Sequence, residues 1–349
     1  MYPYILIFAI ASLFAFGAKK ASSHRALAIL FALTLAIFVS TRYEVGCDFT
    51  GYENRFLQLQ DHLDWGEIFG QGEAGFHLLS LLVLNLGLPY TGLLFFSGLI
   101  YIFCLARFSK LTERPLTFLA LCFPVLVIQL GMSGIRQALA LGFLLLAFAA
   151  FADKRRLAMA IWILVASQFH TSAIIFLPLV YLIGRAVSLP RLIAALIVLG
   201  PVVAWLIGDR LSVYSDRYVQ QIYGENSSSG AWFRYYLVLL PFLLFEWKRA
   251  LIEAAYPKIY PLLRLFSLIT FSLVLVGALS SVALHRMVFY VMPMSILALI
   301  CLSRVISGRR TIGLVMASPF LIYGLYFASW LTLSRHATLC YNPYDSWLF

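Results

Sequence analysis

The sequence predicts an all-α, polytopic transmembrane helix bundle of about twelve spans, with one further re-entrant or interfacial helix. Three observations predict it. Hydrophobic residues make up 62% of the 349 positions and mean hydropathy is +0.90. Only 12% of residues are charged, about half the ~25% of a soluble domain, so too little polar surface remains to solvate a globule and lipid must be the solvent. Apolar stretches run from one end of the chain to the other, which reads as a single membrane domain over 1–349 with no linker.

Taken in chain order, spans that fit a hydrocarbon layer of about 30 Å fall near 2–18, 26–40, 90–107, 116–130, 135–152, 157–169, 172–184, 191–207, 232–247, 265–284, 286–303 and 311–331. Residues 1–18 lack the basic leader and small-residue cleavage site of a signal peptide, so the first span is expected to stay in place. Segment 76–88 is apolar too. If it spanned, every later basic cluster would change sides, so it is read as re-entrant or interfacial. Those clusters are Lys19, Lys20 and Arg25; Arg107, Lys110 and Arg114; Lys154, Arg155 and Arg156; Arg185 and Arg191; Lys248, Arg249, Lys258 and Arg264; and Arg304, Arg309 and Arg310. Placing them in the cytoplasm puts every Lys there and most of the acidic residues opposite, as the positive-inside rule requires. Loops 41–75 and 208–231, the tail 332–349 and both termini then lie outside. The net charge of +11 is thus explained by topology, and nucleic acid is not an expected partner.

Segments 116–130 and 157–169 are short for a crossing, about 22 and 20 Å at 1.5 Å per residue. Their outer ends, Gly131-Met132-Ser133-Gly134 and Gln168-Phe169-His170-Thr171-Ser172, are expected to lie below the headgroup plane. Irregular backbone is tolerated there only against protein or a water-filled cavity, which implies a sunken crater opening outward. The five cysteines show no metal-ligand spacing. Cys47 and Cys340 both fall outside, where a disulfide can form, but the spacing alone favours free thiols.

Ionisable side chains gather on the outer face: Arg42, Asp48, Glu73, Arg136, His170, Arg210, Arg217, Arg234, His285 and Arg286. Such groups at membrane depth are expensive and mark function by default. Arg136 stands in the first turn of a helix that Ser133 can cap. A cation opposes the helix dipole there unless an anion binds both, so Gly-Met-Ser-Gly-Ile-Arg-Gln reads as an anion site, most plausibly for phosphate, with Gln137 beside it. His285-Arg286 opens a span with Tyr290 one turn later and reads as a second anion contact. His170, between two short helices, can serve as a base or a hydrogen-bond donor. The stretch Arg42 to Tyr52 can hold the Asp48 carboxylate beside a cation. Asp61-His62-Leu63-Asp64 is better explained as a solvated turn than as a metal site. No Asp-x-Asp, Ser-His-Asp or P-loop pattern occurs, so neither a metal nor a cofactor is expected.

Six motifs in order resemble the EpsG family of Wzy-type bacterial surface polysaccharide polymerases. They are Arg42-x-x-x-Gly46-x-Asp48-x-x-x-Tyr52, Glu73-x-Gly75-Phe76, Ile135-Arg136-Gln137-x-Leu139-Ala140, Phe169-His170-x-Ser172-Ala173, Arg286-x-x-x-Tyr290 and Pro343-Tyr344. Cys47 departs from the pattern, which would place a small hydroxylated residue there. The resemblance implies a GT-C-like bundle in the bacterial inner membrane. It implies transfer of a growing glycan from undecaprenyl pyrophosphate onto another lipid-linked repeat unit at the outer face, by an inverting, metal-independent glycosyltransferase. Its partners would be the undecaprenyl-pyrophosphate-linked oligosaccharide, membrane lipid and a chain-length regulator.

On this reading Arg136 and Arg286 hold the donor pyrophosphate, assisted by Arg42 or Arg217, with Gln137 and Tyr290 alongside. Asp48 is the first choice for the base, and Glu73 or His170 the second. A transporter or flippase of a lipid-linked or anionic solute is one alternative; it would show inverted repeats and midplane polar groups, and neither is evident. An O-antigen ligase-like transferase is the other.

Overall fold

The computed structural model describes residues 2–18, 20–61, 73–207, 229–306 and 312–348. The apolar stretches become helices almost throughout. In chain order these are α1 (Tyr2–Gly17), α2 (Ala21–Ser40), α3 (Phe49–Asp61), α4 (Ala74–Asn85), α5 (Tyr90–Ser109) and α6 (Pro115–Cys122). A π-helix (Phe123–Leu130) continues α6, followed by α7 (Ile135–Ala152), α8 (Arg156–Ser167), a 3₁₀ helix (Thr171–Leu182) and α9 (Leu189–Ile207). The chain ends with α10 (Ser229–Trp247), α11 (Arg249–Ala255), α12 (Tyr260–Leu279), α13 (Ser281–Ile306), α14 (Ile312–Leu333) and α15 (Arg335–Cys340).

Among the described residues, six helices are long and apolar enough to cross a membrane: α2, α5, α7, α12, α13 and Gly313–Leu333 within α14. Their outward faces confirm the solvent. Leu275 is 68% exposed and Leu325 70% exposed, and leucines so displayed along helix after helix need acyl chains around them. The chain is therefore a multi-pass membrane protein. Helix α4, at 12 residues, covers about 18 Å and falls short of a crossing. The 265–284 and 286–303 spans are displaced: the break falls at Ser280, whose extended backbone ends α12, so His285 and Arg286 lie inside α13 rather than opening it.

Two segments depart from α-geometry. In the π-helix, Gly131 N–H reaches back to the Leu126 carbonyl at 3.0 Å. Tyrosines brace this widened turn: Tyr101 gives Leu126 O a second donor at 3.0 Å, and Tyr341 donates to Gln129 O at 3.2 Å. The 12-residue 3₁₀ helix rises about 24 Å at ~2.0 Å per residue, longer than the same residues would as an α-helix. Pro178 lies inside it.

The described residues form two compact units. The first comprises Met1–Leu146, Val165–Ala173 and Gly313–Phe349; the second comprises Ala147–Leu164 and Ile174–Ile312. In the first, α2 packs on α5 and α6, and α1 on α6. A two-stranded antiparallel ladder joins β1 (Arg42–Tyr43) to β2 (Asp345–Ser346), so the tail returns to the end of α2. A disulfide between Cys47 and Cys340 fastens it, which corrects the free-thiol reading for this pair. Spacing could not show it, because 293 residues separate the two. In the second unit, α13 packs between α10 and α12, and Ser295 donates to Val238 O at 3.0 Å.

Candidate functional site

The site is built by three turns of the first unit. Gly46 makes the first approach. Its φ of +107° and its distance from Met132 demand glycine, because an added Cβ would lie 1.9 Å from the Met132 carbonyl oxygen. Its N–H bonds Cys340 O at 2.7 Å. The loop after α2 is thereby pressed on the turn before α7. Asp48 follows, exposed at the start of α3, with its carbonyl accepting from Tyr52 N–H at 3.0 Å.

Gly75 makes the second approach. An added Cβ there would sit 2.9 Å from Gln168 Cβ and 3.2 Å from the Phe169 ring. That closeness lets Gly75 and Phe76 both donate to Gln168 O, at 3.0 and 3.3 Å. The end of α8 thus meets the start of α4. Glu73, in left-handed backbone with φ +59°, turns its carboxylate into the joint.

Glu73 is where the motifs converge. Its Oε2 accepts from Arg136 Nη1 at 2.5 Å; its Oε1 accepts from His170 Nδ1 at 3.0 Å and from Thr171 N–H at 3.3 Å. The Glu73 side chain is 8% exposed, against 32% for Arg136 and 12% for His170. Burial alone raises its pKa, but the His170 hydrogen bond, the Arg136 charge and the Thr171 amide overcome it and hold the group at about 2. An ionised carboxylate can only accept, so it is His170 Nδ1 that carries a proton toward Glu73, which leaves Nε2 outside this contact. The Arg136 guanidinium also lies over the Tyr52 and Phe76 rings, 5.5 and 5.9 Å from their centroids.

The anion that Arg136 was expected to need is therefore supplied partly from within. Sequence reading paired Arg136 with a substrate phosphate and treated Glu73 as a possible base; the structure ties the two together. A carboxylate spent on three donors and held near pKa 2 is a weak base. The part-exposed remainder of the guanidinium can still meet an external anion.

The other expected residues fall elsewhere. Arg42 is 2% exposed, donates to Val39 O at 2.5 Å and is ringed by Tyr4, Tyr90, Tyr341 and Tyr344. It lies beneath the tail, out of reach of a substrate in this structure. Gln137 is 8% exposed, and Tyr290 is fully buried, edge-to-face with Phe176 at 5.6 Å. Arg286 is half-buried in the second unit. Arg210 and Arg217 lie outside the described residues, as do His62, Leu63 and Asp64 of the Asp61–Asp64 turn. Sequence reading placed Arg234 in the outward cluster without naming a partner for it. It is 7% exposed, donates to His285 Nδ1 and packs over the Phe289 ring. Its signal was an arginine inside an apolar run. Among the described residues, Cys47, His336 and Cys340 are the group close enough to share a metal, and two of them form the disulfide.

A family model described as the EpsG family matches residues 25–346. No curated protein and no solved structure matches the chain.

Proposed function

The chain belongs to the EpsG family, a polysaccharide-polymerase type of membrane protein, and from that premise we propose that His170, Glu73 and Arg136 form the reaction centre of a lipid-linked glycan polymerase. The reaction is a single displacement with inversion. A hydroxyl of the acceptor repeat unit attacks the anomeric carbon of a glycan carried on undecaprenyl pyrophosphate. The new glycosidic C–O bond forms as the bond to the pyrophosphate oxygen breaks. The hydroxyl proton passes to His170 Nε2, and the leaving pyrophosphate takes the bonding electrons.

One observation carries this reading: the unbroken line of contacts from Arg136 through Glu73 to His170. A carboxylate that fixes one imidazole nitrogen as donor leaves the other ready to accept, the orienting logic of a catalytic triad. General-base help of this kind is worth about 10²–10⁴-fold. Arg136 would spend one nitrogen on Glu73 and offer the rest of its planar fork to the pyrophosphate, a geometry lysine cannot copy. Asp48 is exposed at the start of α3 and is the rival base. Arg286, half-buried in α13 beside His285, is proposed as a further pyrophosphate contact, while Arg42 is proposed to hold the tail.

The same reading gives twelve spans in a GT-C-like bundle of the bacterial inner membrane, with the centre facing outward and a chain-length regulator as partner. The Cys47–Cys340 disulfide supports that sidedness, since such bonds persist in oxidising compartments and this one joins the Gly46 loop to the tail. The test is purified protein given a synthetic undecaprenyl-pyrophosphate-linked repeat unit, read as a product ladder. His170→Gln should abolish the ladder and Asp48→Asn should retain most of it; the opposite pattern transfers the base to Asp48. A product with one added block only would favour a ligase.

A further inference from the structure

The second unit holds a cavity of about 420 Å³ lined by Phe151, Ala152, Lys154, Leu182, Gly184, Arg185, Pro257, Lys258 and Pro261. We propose that it is a binding site for the phosphate headgroup of an acidic phospholipid. The volume lies within the ~300–1,000 Å³ of small-molecule sites.

Three separate segments each bring one cation to this cavity: Lys154 from the end of α7, Arg185 from the end of the 3₁₀ helix, and Lys258 from the turn before α12. Positive-inside loops need basic residues, but they do not need them converging on one apolar-walled hollow. Lys258 is spoken for, since its Nζ lies 2.7 Å from Asp153 Oδ1. Among the described residues Lys154 and Arg185 make no ion pair. Arg185 is held by stacking, its guanidinium 3.8 Å from the Tyr181 ring centroid, which leaves its in-plane N–H groups for an anion.

The backbone of Lys154 is the second observation. Helix α7 ends with Lys154 N–H on Phe151 O at 3.0 Å and Arg155 N–H on Ala150 O at 2.8 Å. That paired turn places Lys154 at φ +58°, a position normally given to glycine because it has no Cβ. At the neighbouring turn Gly184, φ +73°, follows the rule. The chain accepts strain to hold a cation on the rim, and strain persists where the surroundings or a function over-determine it. Phe151, Leu182, Pro257 and Pro261 give the walls an apolar character suited to the glycerol and first acyl carbons. A phosphate on a diacylglycerol therefore fits better than a soluble one.

The test uses full-length protein in a neutral detergent, titrated with short-chain phosphatidylglycerol, phosphatidylcholine or sn-glycerol 3-phosphate and read by thermal shift. Phosphatidylglycerol should stabilise at concentrations at least tenfold below phosphatidylcholine. Lys154→Gly combined with Arg185→Gln should weaken that response at least tenfold. Lys154→Gly alone fits the backbone and should leave the lipid-free melting temperature unchanged or higher, while weakening the response about threefold. Equal shifts from the two lipids, or a full phosphatidylglycerol response in Lys154→Gly and the double variant, would overturn the site. Glycerol phosphate that matches phosphatidylglycerol in potency would overturn the lipid assignment.

Discussion

Replacing Glu73 with Gln changes one charge and almost no volume. The amide oxygen can still accept from Thr171 N–H and His170, but its NH₂ then faces the Arg136 guanidinium, two donors opposed. Glu73 is held at about 2 against an ordinary 4.5, and one unit is worth 1.36 kcal/mol, so its ionised form contributes about 3 kcal/mol to folding. Direct estimates for breaking a buried pair run at about 3–5 kcal/mol. The sign follows from the depressed value. The contribution is full above the unfolded pKa near 4.5 and is lost as pH falls through about 2. Glu73→Gln should therefore melt roughly 5 °C or more below wild type near neutral pH, and the gap should close as both are taken toward pH ~2. The assay is thermal unfolding of both proteins in detergent across that range. A gap of constant size over the whole range, or none at neutral pH, would refute the claim that Glu73 is ionised and clamped by Arg136 and His170.

Other predictions test the same joint from different sides. His170→Ala should lower the polymerisation rate roughly 10²–10⁴-fold, measured on a lipid-linked repeat unit, and should also lower the melting temperature, because the buried Glu73 carboxylate loses a donor. Arg136→Lys should keep the charge beside Glu73 but lose the fork, so activity should fall more than stability; equal activity would remove Arg136 from the donor site. Gly46→Ala, with its Cβ aimed at the Met132 carbonyl, should cost about 1–3 kcal/mol or more and lower activity by displacing the Arg136 turn. Cys47→Ser with Cys340→Ser should cost about 2–4 kcal/mol, and reductant should lower the wild-type melting temperature but not the double variant's.

Much of the fold was legible because lipid imposes it. Helix α7 begins and ends where the apolar run 135–152 does, and the shortness of 116–130 and 157–169 signalled irregular backbone at their ends. The departures are local. Periodicity cannot separate α- from 3₁₀-geometry in Thr171–Leu182, where each residue is apolar or small whichever helix forms. The break at Ser280 was hidden because Ser280-Ser281 carries no proline or glycine.

The site residues were legible one by one, but not their pairing. An arginine at a helix start reads as an anion site in any protein; that its anion is Glu73 depends on Gly75 letting α4 touch Gln168, a contact spanning more than ninety residues. Arg42 looked like an outward cation because it follows a span. Only the returning tail, paired at Ser346, shows that tyrosines cover it.

The central claim is that a carboxylate-oriented His170 takes the proton of the attacking hydroxyl. The most direct test is the rate of chain extension on a synthetic undecaprenyl-pyrophosphate-linked repeat unit, compared among wild type, Glu73→Gln, His170→Gln and the double variant. The account predicts that His170→Gln loses roughly 10²–10⁴-fold, that Glu73→Gln is also slowed, and that the double variant is no slower than His170→Gln alone, because the carboxylate acts through the imidazole. A wild-type rate in His170→Gln, or losses that multiply in the double variant, would contradict it.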